Sequence, residues 1–109
     1  MWDRAAFERQ IGGDRSLGDE IIGMFLEDCP DRVGAIRTAI NNGDAPALVA
    51  SAHALKGAAA YLAAQPLREC AAALERAGRE QKLDGAPALL SALETAVAEL
   101  LPQLRASHD

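Results

Sequence analysis

Apolar positions recur along this 109-residue chain at steps of three and four, the period of helices that each bury one face. Phe7 and Ile11 stand four apart in a short opening segment that Gly12-Gly13 closes. Asp14 or Ser16 can cap the next helix, with Asp19 and Glu20 expected in its first turn. Its stripe is Ile21, Phe25, Cys29, Val33, Ile36 and Ile40, spaced 4, 4, 4, 3 and 4. Pro30 falls inside the stripe and predicts a kink or a division, because its ring clashes with the carbonyl four residues back. Asn41-Asn42-Gly43-Asp44 reads as a stop followed by a new cap.

The third segment carries Leu48, Ala52, Leu55, Ala59 and Leu62, and Ala63-Ala64-Gln65-Pro66 turns the chain, with Pro66 suited to the first helical position. Leu67, Cys70, Ala71, Leu74, Ala77 and Gly78 form the next face. Leu83-Asp84-Gly85-Ala86-Pro87 breaks that helix, and Leu89, Leu93, Val97, Leu100 and Leu104 line the last one. The polar tail from Arg105 to Asp109 is expected to fray. These patterns predict a single all-α domain spanning residues 1–109, an antiparallel up-down-up-down four-helix bundle with a short extra N-terminal helix over one end.

Composition agrees. Alanine occupies 24 positions, whereas Val, Ile and Thr together occupy 10, which disfavours a sheet. The net charge of −5 and the scarcity of aromatics leave no basic stripe and no stacking platform for nucleic acid. No run of 18 apolar residues and no signal-peptide pattern occurs, so membrane contact is not expected and a cytoplasmic location is. Cys29 and Cys70 lie on core stripes and suit a reduced protein with inert thiols. Gly-rich phosphate loops, metal motifs and nucleophile elbows are missing, which excludes a kinase and leaves a partner module ahead of an enzyme.

Of the two histidines, His108 sits in the tail. With Leu48 at zero on a helical wheel, the core stripe of its helix clusters within about 40° of zero, and His53 falls near 140°. His53 therefore points outward, on a low face with Val49, Gly57, Ala60 and Ala64, and Lys56 lies one turn away. Gly57 in mid-helix costs about 1 kcal/mol relative to Ala, which a close approach by a phosphate or another backbone would explain. The hairpin turn centres near residue 64, so His53 and Glu75 sit at similar heights on antiparallel helices. Glu75 can accept Nδ1–H of His53 or pair with Arg79 one turn on.

Ala52-His53-Ala54-Leu55-Lys56-Gly57-Ala58-Ala59 resembles the A-H-x-L-K-G-[SA]-[SA] signature of histidine-containing phosphotransfer (HPt) domains of bacterial-type phosphorelays. Phe25-Leu26-Glu27-Asp28-Cys29-Pro30, Asn42-Gly43-Asp44 and Leu74-Glu75 resemble three further family segments, and the similarity covers roughly residues 7–101. Two departures are Ala63, where the family often has Gly, and Tyr61, where it often has Asn. The resemblance implies a monomeric phosphocarrier in which His53 takes a phosphoryl group from one receiver-domain aspartate and passes it to another. Lys56 would screen the phosphoryl oxygens, and Gly57 would leave room for them and for the partner's loops. Mg²⁺ is expected to come with the receiver, with no cofactor or metal held by this chain. Response-regulator receivers or a hybrid sensor kinase are the expected partners. Ile22 and Leu26 form a second apolar line, either a docking patch for a receiver helix or a strip covered by the N-terminal helix. The rival expectations are a bundle that docks a signalling partner without being phosphorylated, and a metal- or haem-binding bundle. The latter would need inward-pointing ligands that the pattern lacks.

Overall fold

The computed structural model describes residues 2–108 and contains five helices and no strand among them. They are α1 (Arg4–Gln10), α2 (Arg15–Asn41), α3 (Ala45–Tyr61), α4 (Gln65–Arg79) and α5 (Ala86–His108). Helix α3 packs most extensively on α4, α2 on α3 and α5, and α4 on α5. This cyclic neighbour order is the expected up-down-up-down bundle, about 41 Å long and 20 Å across.

Local chemistry sets the boundaries. Asp3, Asp14 and Asp44 each cap a helix by accepting a backbone N–H three residues on, from Ala6, Leu17 and Ala47. With Asp14 as cap, the first turn begins at Arg15, so Asp19 and Glu20 lie beyond it. Pro30 does not divide α2, which runs unbroken for 27 residues with the Pro30 ring on its exposed side. Helix α4 starts at Gln65, one residue before Pro66. Helix α5 continues through His108, where a frayed tail was expected, because Leu104 is fully buried in its last turns; Asp109 lies outside the described residues. Helices α1 to α4 all end in the same device, an N–H two residues past the cap bonding back five residues: Gly13 to Glu8, Asp44 to Ala39, Ala64 to Ala59 and Lys82 to Ala77.

The core is aliphatic. Leu48, Ala52, Leu55, Ala59 and Leu62 are wholly buried, as are Leu67, Ala71 and Leu74 opposite them and Leu93 and Leu104 on α5. Helix α2 departs from its expected stripe at both ends, burying Ile22 and Ala39 where Ile21 and Ile40 were expected. Three successive steps of four each rotate about 40°, so Ile21 sits about 80° from Cys29 and Ile22 only about 20°. Similar drift leaves Cys70, Leu89 and Val97 half-buried and buries Leu90.

The start of the chain is tied down more firmly than the pattern of Phe7 and Ile11 implies. Trp2, one residue before the Asp3 cap, stacks at a tilt on Phe7 with ring centroids 5.6 Å apart, a hydrophobic staple. Its indole N–H donates to the Leu62 carbonyl at 2.8 Å, and Gln10 Nε2 donates to the carbonyls of Ala60 and Tyr61 at 3.0 and 2.9 Å. The N-terminal segment thus satisfies the Tyr61 and Leu62 carbonyls that the end of α3 leaves without backbone donors, and adds a second donor to the Ala60 carbonyl, which already accepts from Ala63 N–H.

Candidate functional site

Helix α3 carries His53 on its solvent face, with 65% of the side chain exposed. The antiparallel α4 brings Glu75 to the same height, and Nδ1 of His53 lies 3.2 Å from Glu75 Oε2. Glu75 is itself only 4% exposed and is the one buried charged residue among those described. Three positive or hydrogen-bonding groups surround it. Lys56 Nζ lies 2.6 Å from Oε1, and Arg79 Nη2 donates to Oε2 at 2.7 Å. Glu75 therefore makes both contacts at once, since the oxygen beside the imidazole also pairs with Arg79.

The electrostatics have one sign. The Lys56 ammonium lowers the Glu75 pKa most, burial opposes it, and Arg79 and His53 add to the lowering, which brings the carboxyl to about 2. Glu75 stays ionised at neutral pH and can only accept. A neutral His53 that bonds to it must carry its proton on Nδ1, which leaves the Nε2 lone pair outermost. The arrangement is an exposed nitrogen nucleophile with a fixed tautomer and two cations within one turn. Lys56 is not free above the imidazole but is engaged with Glu75. Arg79, 62% exposed, is the cation that reading α3 alone overlooks, although its i+4 spacing from Glu75 marks it.

Gly57 lines the surface beside His53, and a Cβ there would meet nothing within 4 Å, so no packing need explains the glycine. It forms the floor of an apolar groove between α2 and α3, walled by Ile21, Met24, Phe25 and Tyr61, with Asp28 and Arg32 at one end and His53 on its lip. Met24 and Tyr61 are 63% and 67% exposed, unusual for large apolar side chains, and both line this groove.

The expected docking patch needs correction on this geometry. Ile22 is 2% exposed, in the surface where Phe7 and Ile11 of the N-terminal segment meet α2, so the covered alternative holds for it. Leu26 is half-buried against the core and does not line the groove. Ala64 is 2% exposed, because α3 ends at Tyr61 and the left-handed Ala63 turns position 64 inward, off the wheel. Val49 is half-buried and abuts Gly78 on α4. Ala60 is exposed, as expected, but its carbonyl is bound by Gln10. The apolar residues beside His53 are instead Ile21, Met24 and Tyr61, displaced into view by the drift of the α2 stripe and by an unexplained aromatic on α3.

Among the described residues no group of His, Cys, Asp or Glu is placed to hold a metal ion, and no helix is long and apolar enough to cross a membrane. Cys29 is buried and Cys70 half-buried, both free, with burial pushing each thiol's pKa up.

The bundle thus presents one carboxylate-held histidine to solvent. The family model for the Hpt domain matches residues 20–106, and the chain belongs to that family, the histidine phosphotransfer modules of phosphorelays. In fold it is similar to the crystal structure of histidine-containing phosphotransfer protein B (HptB) from Pseudomonas aeruginosa PAO1, at a TM-score of 0.91 and 24% identity, covering 98% of this chain and 93% of that one. No curated protein matches the sequence.

Proposed function

We propose that His53 is the phosphoryl acceptor, taking the group on Nε2 from the phosphoaspartate of one receiver domain and passing it to the aspartate of another. The observation that supports this most is the His53–Glu75 pair, which fixes the proton on Nδ1 and turns Nε2 outward. In the forward step the Nε2 lone pair attacks phosphorus, the bond to the aspartyl oxygen breaks, and the donor regains its carboxylate. Lys56 and Arg79 are close enough to exchange contacts with Glu75 for contacts with phosphoryl oxygens. Gly57 leaves space for that group and for the receiver's loops. Mg²⁺ belongs to the receiver in this scheme, and this chain supplies no metal.

The receiver would dock one of its helices along Ile21, Met24 and Tyr61. Met24 and Tyr61 are exposed and Ile21 half-buried, all three line the groove that His53 borders, and docking there would remove them from water as the reacting atoms meet. The test is incubation with an acetyl-phosphate-charged receiver, followed by stability measurements on the labelled product. A label lost in acid, kept in base and abolished by His53→Gln is expected. If label persists in His53→Gln, the acceptor is wrongly assigned. If His53→Gln and the wild type bind the receiver alike and neither takes label, the chain is a docking module only.

A further inference from the structure

We infer that Glu75 acts after phosphorylation as well as before it, as a positioning residue whose carboxylate keeps the proton on Nδ1 of phosphorylated His53 and so keeps the phosphoryl group transferable above neutral pH. This rests on the proposed function and adds a role that tautomer selection alone does not require.

The proton balance makes the case. When Nε2 of neutral His53 attacks phosphorus, the N–P bond forms and the P–O bond to the aspartate breaks. Nδ1 keeps its hydrogen, so the ring becomes cationic. In onward transfer an aspartate oxygen attacks phosphorus, the N–P bond breaks, and its electron pair returns to Nε2. The departing ring is neutral imidazole if Nδ1 still holds its proton. If that proton has been lost, the departing ring is imidazolate, a far poorer leaving group. Transfer competence therefore depends on what faces Nδ1.

That neighbour is a carboxylate, 3.2 Å away and shielded from solvent. A full negative charge at this distance favours the charged ring more than a neutral acceptor of the same shape would. The other charges near His53 are Lys56 on α3, Arg79 on α4, and Asp28 and Arg32 on α2 across the groove. In the unphosphorylated protein Lys56 and Arg79 offset the Glu75 charge. A phosphoryl group bearing up to two negative charges competes for both cations. Each cation drawn toward it leaves more of the Glu75 charge acting on Nδ1–H. The cluster thus passes its cations to the phosphoryl group and its anion to the ring.

The experiment uses the whole chain, phosphorylated by a charged receiver. Phosphorus NMR of the phosphohistidine is followed from pH 5 to 9 in the folded protein and in the same protein unfolded in urea. The half-point should be higher in the folded protein by at least about one pH unit, tenfold in proton affinity. Glu75→Gln, where it folds, should lower the half-point toward the unfolded value. Its donation to a receiver should fall more steeply than that of wild type between pH 6.5 and 8.5. Coincident half-points in folded and unfolded protein, or parallel pH profiles for the two variants, overturn the inference while leaving His53 as the acceptor. Absence of phosphohistidine altogether overturns the proposed function and this inference with it.

Discussion

Two glycines on facing helices illustrate how one residue type serves opposite ends. Gly57 has open space where a Cβ would stand, whereas a Cβ on Gly78 would lie 2.8 Å from Val49 Cγ2, 3.1 Å from the Ala45 carbonyl oxygen and 3.2 Å from the Val49 amide nitrogen. The Val49 methyl can rotate away, but the two backbone atoms can retreat only if α3 and α4 separate. Gly78→Ala should therefore lose about 1–3 kcal/mol to overpacking, in spite of a helix-propensity gain of about 1 kcal/mol. Because Gly78 lies one turn from Glu75, the separation should also loosen the His53–Glu75 contact and slow phosphoryl transfer. Urea titration and transfer kinetics on one preparation check both effects. Gly57→Gln should do the reverse, keeping or raising the melting temperature by relieving the glycine's entropy cost. Its side chain would stand one turn from His53 and cut transfer from a phosphorylated receiver at least about tenfold, 1.4 kcal/mol in the barrier. A strongly destabilised Gly57→Gln, or one that transfers normally, would show that clearance at this position is not the glycine's purpose.

At the scale of elements, the helix ends separate what the residue order dictates locally from what packing decides. Asp14 and Asp44 caps, the stop at Gly43 and the break before α5 all follow from short-range chemistry and were legible. Which of the two outcomes at Pro30 holds was not, since an exposed proline can be absorbed in a long helix whose core-facing side is held by Phe25, Cys29 and Val33. Nor was the identity of the groove residues. Counting in fours treats Ile21 as core, whereas accumulated rotation puts Ile22 there and leaves Ile21 facing α3. The Trp2-Asp3 pair followed by Phe7 is the spacing of a capped, stapled helix, and it could have signalled the N-terminal clasp. By contrast, the heights of His53 and Glu75 were readable, because one short turn fixes the register of two antiparallel helices. Ala63 and Gln81 end α3 and α4 with φ of 55°, a left-handed conformation that an L side chain adopts at a cost of roughly 1–2 kcal/mol. Ala63→Gly removes that strain but gives back part of it as added freedom of the unfolded chain. A net stabilisation of about 0.5–1 kcal/mol is expected, read as a higher urea midpoint with an unchanged slope.

For the whole molecule, the site and the fold meet in one buried charge. The folded protein holds Glu75 at about 2, whereas the unfolded chain would titrate it near 4.5. Above pH 4.5 the group is ionised in both states, and the full contribution of its partners is present. As pH falls from about 4.5 toward 2, the unfolded chain takes up the proton first, so stability declines across that window and gains nothing further from this group above it. The shift corresponds to at most about 3 kcal/mol. The realised value should be smaller, since Arg79 and His53 are well exposed and salt screens them. Other carboxylates titrate over the same range, so a single acid denaturation curve would not isolate Glu75. The difference between wild type and Glu75→Gln does. Melting both proteins from pH 7 to pH 2 should show wild type losing stability relative to the variant only below about pH 4.5. A difference that stays constant to pH 2 would mean the carboxylate's charge does not hold α3 to α4, and that its partners merely solvate it.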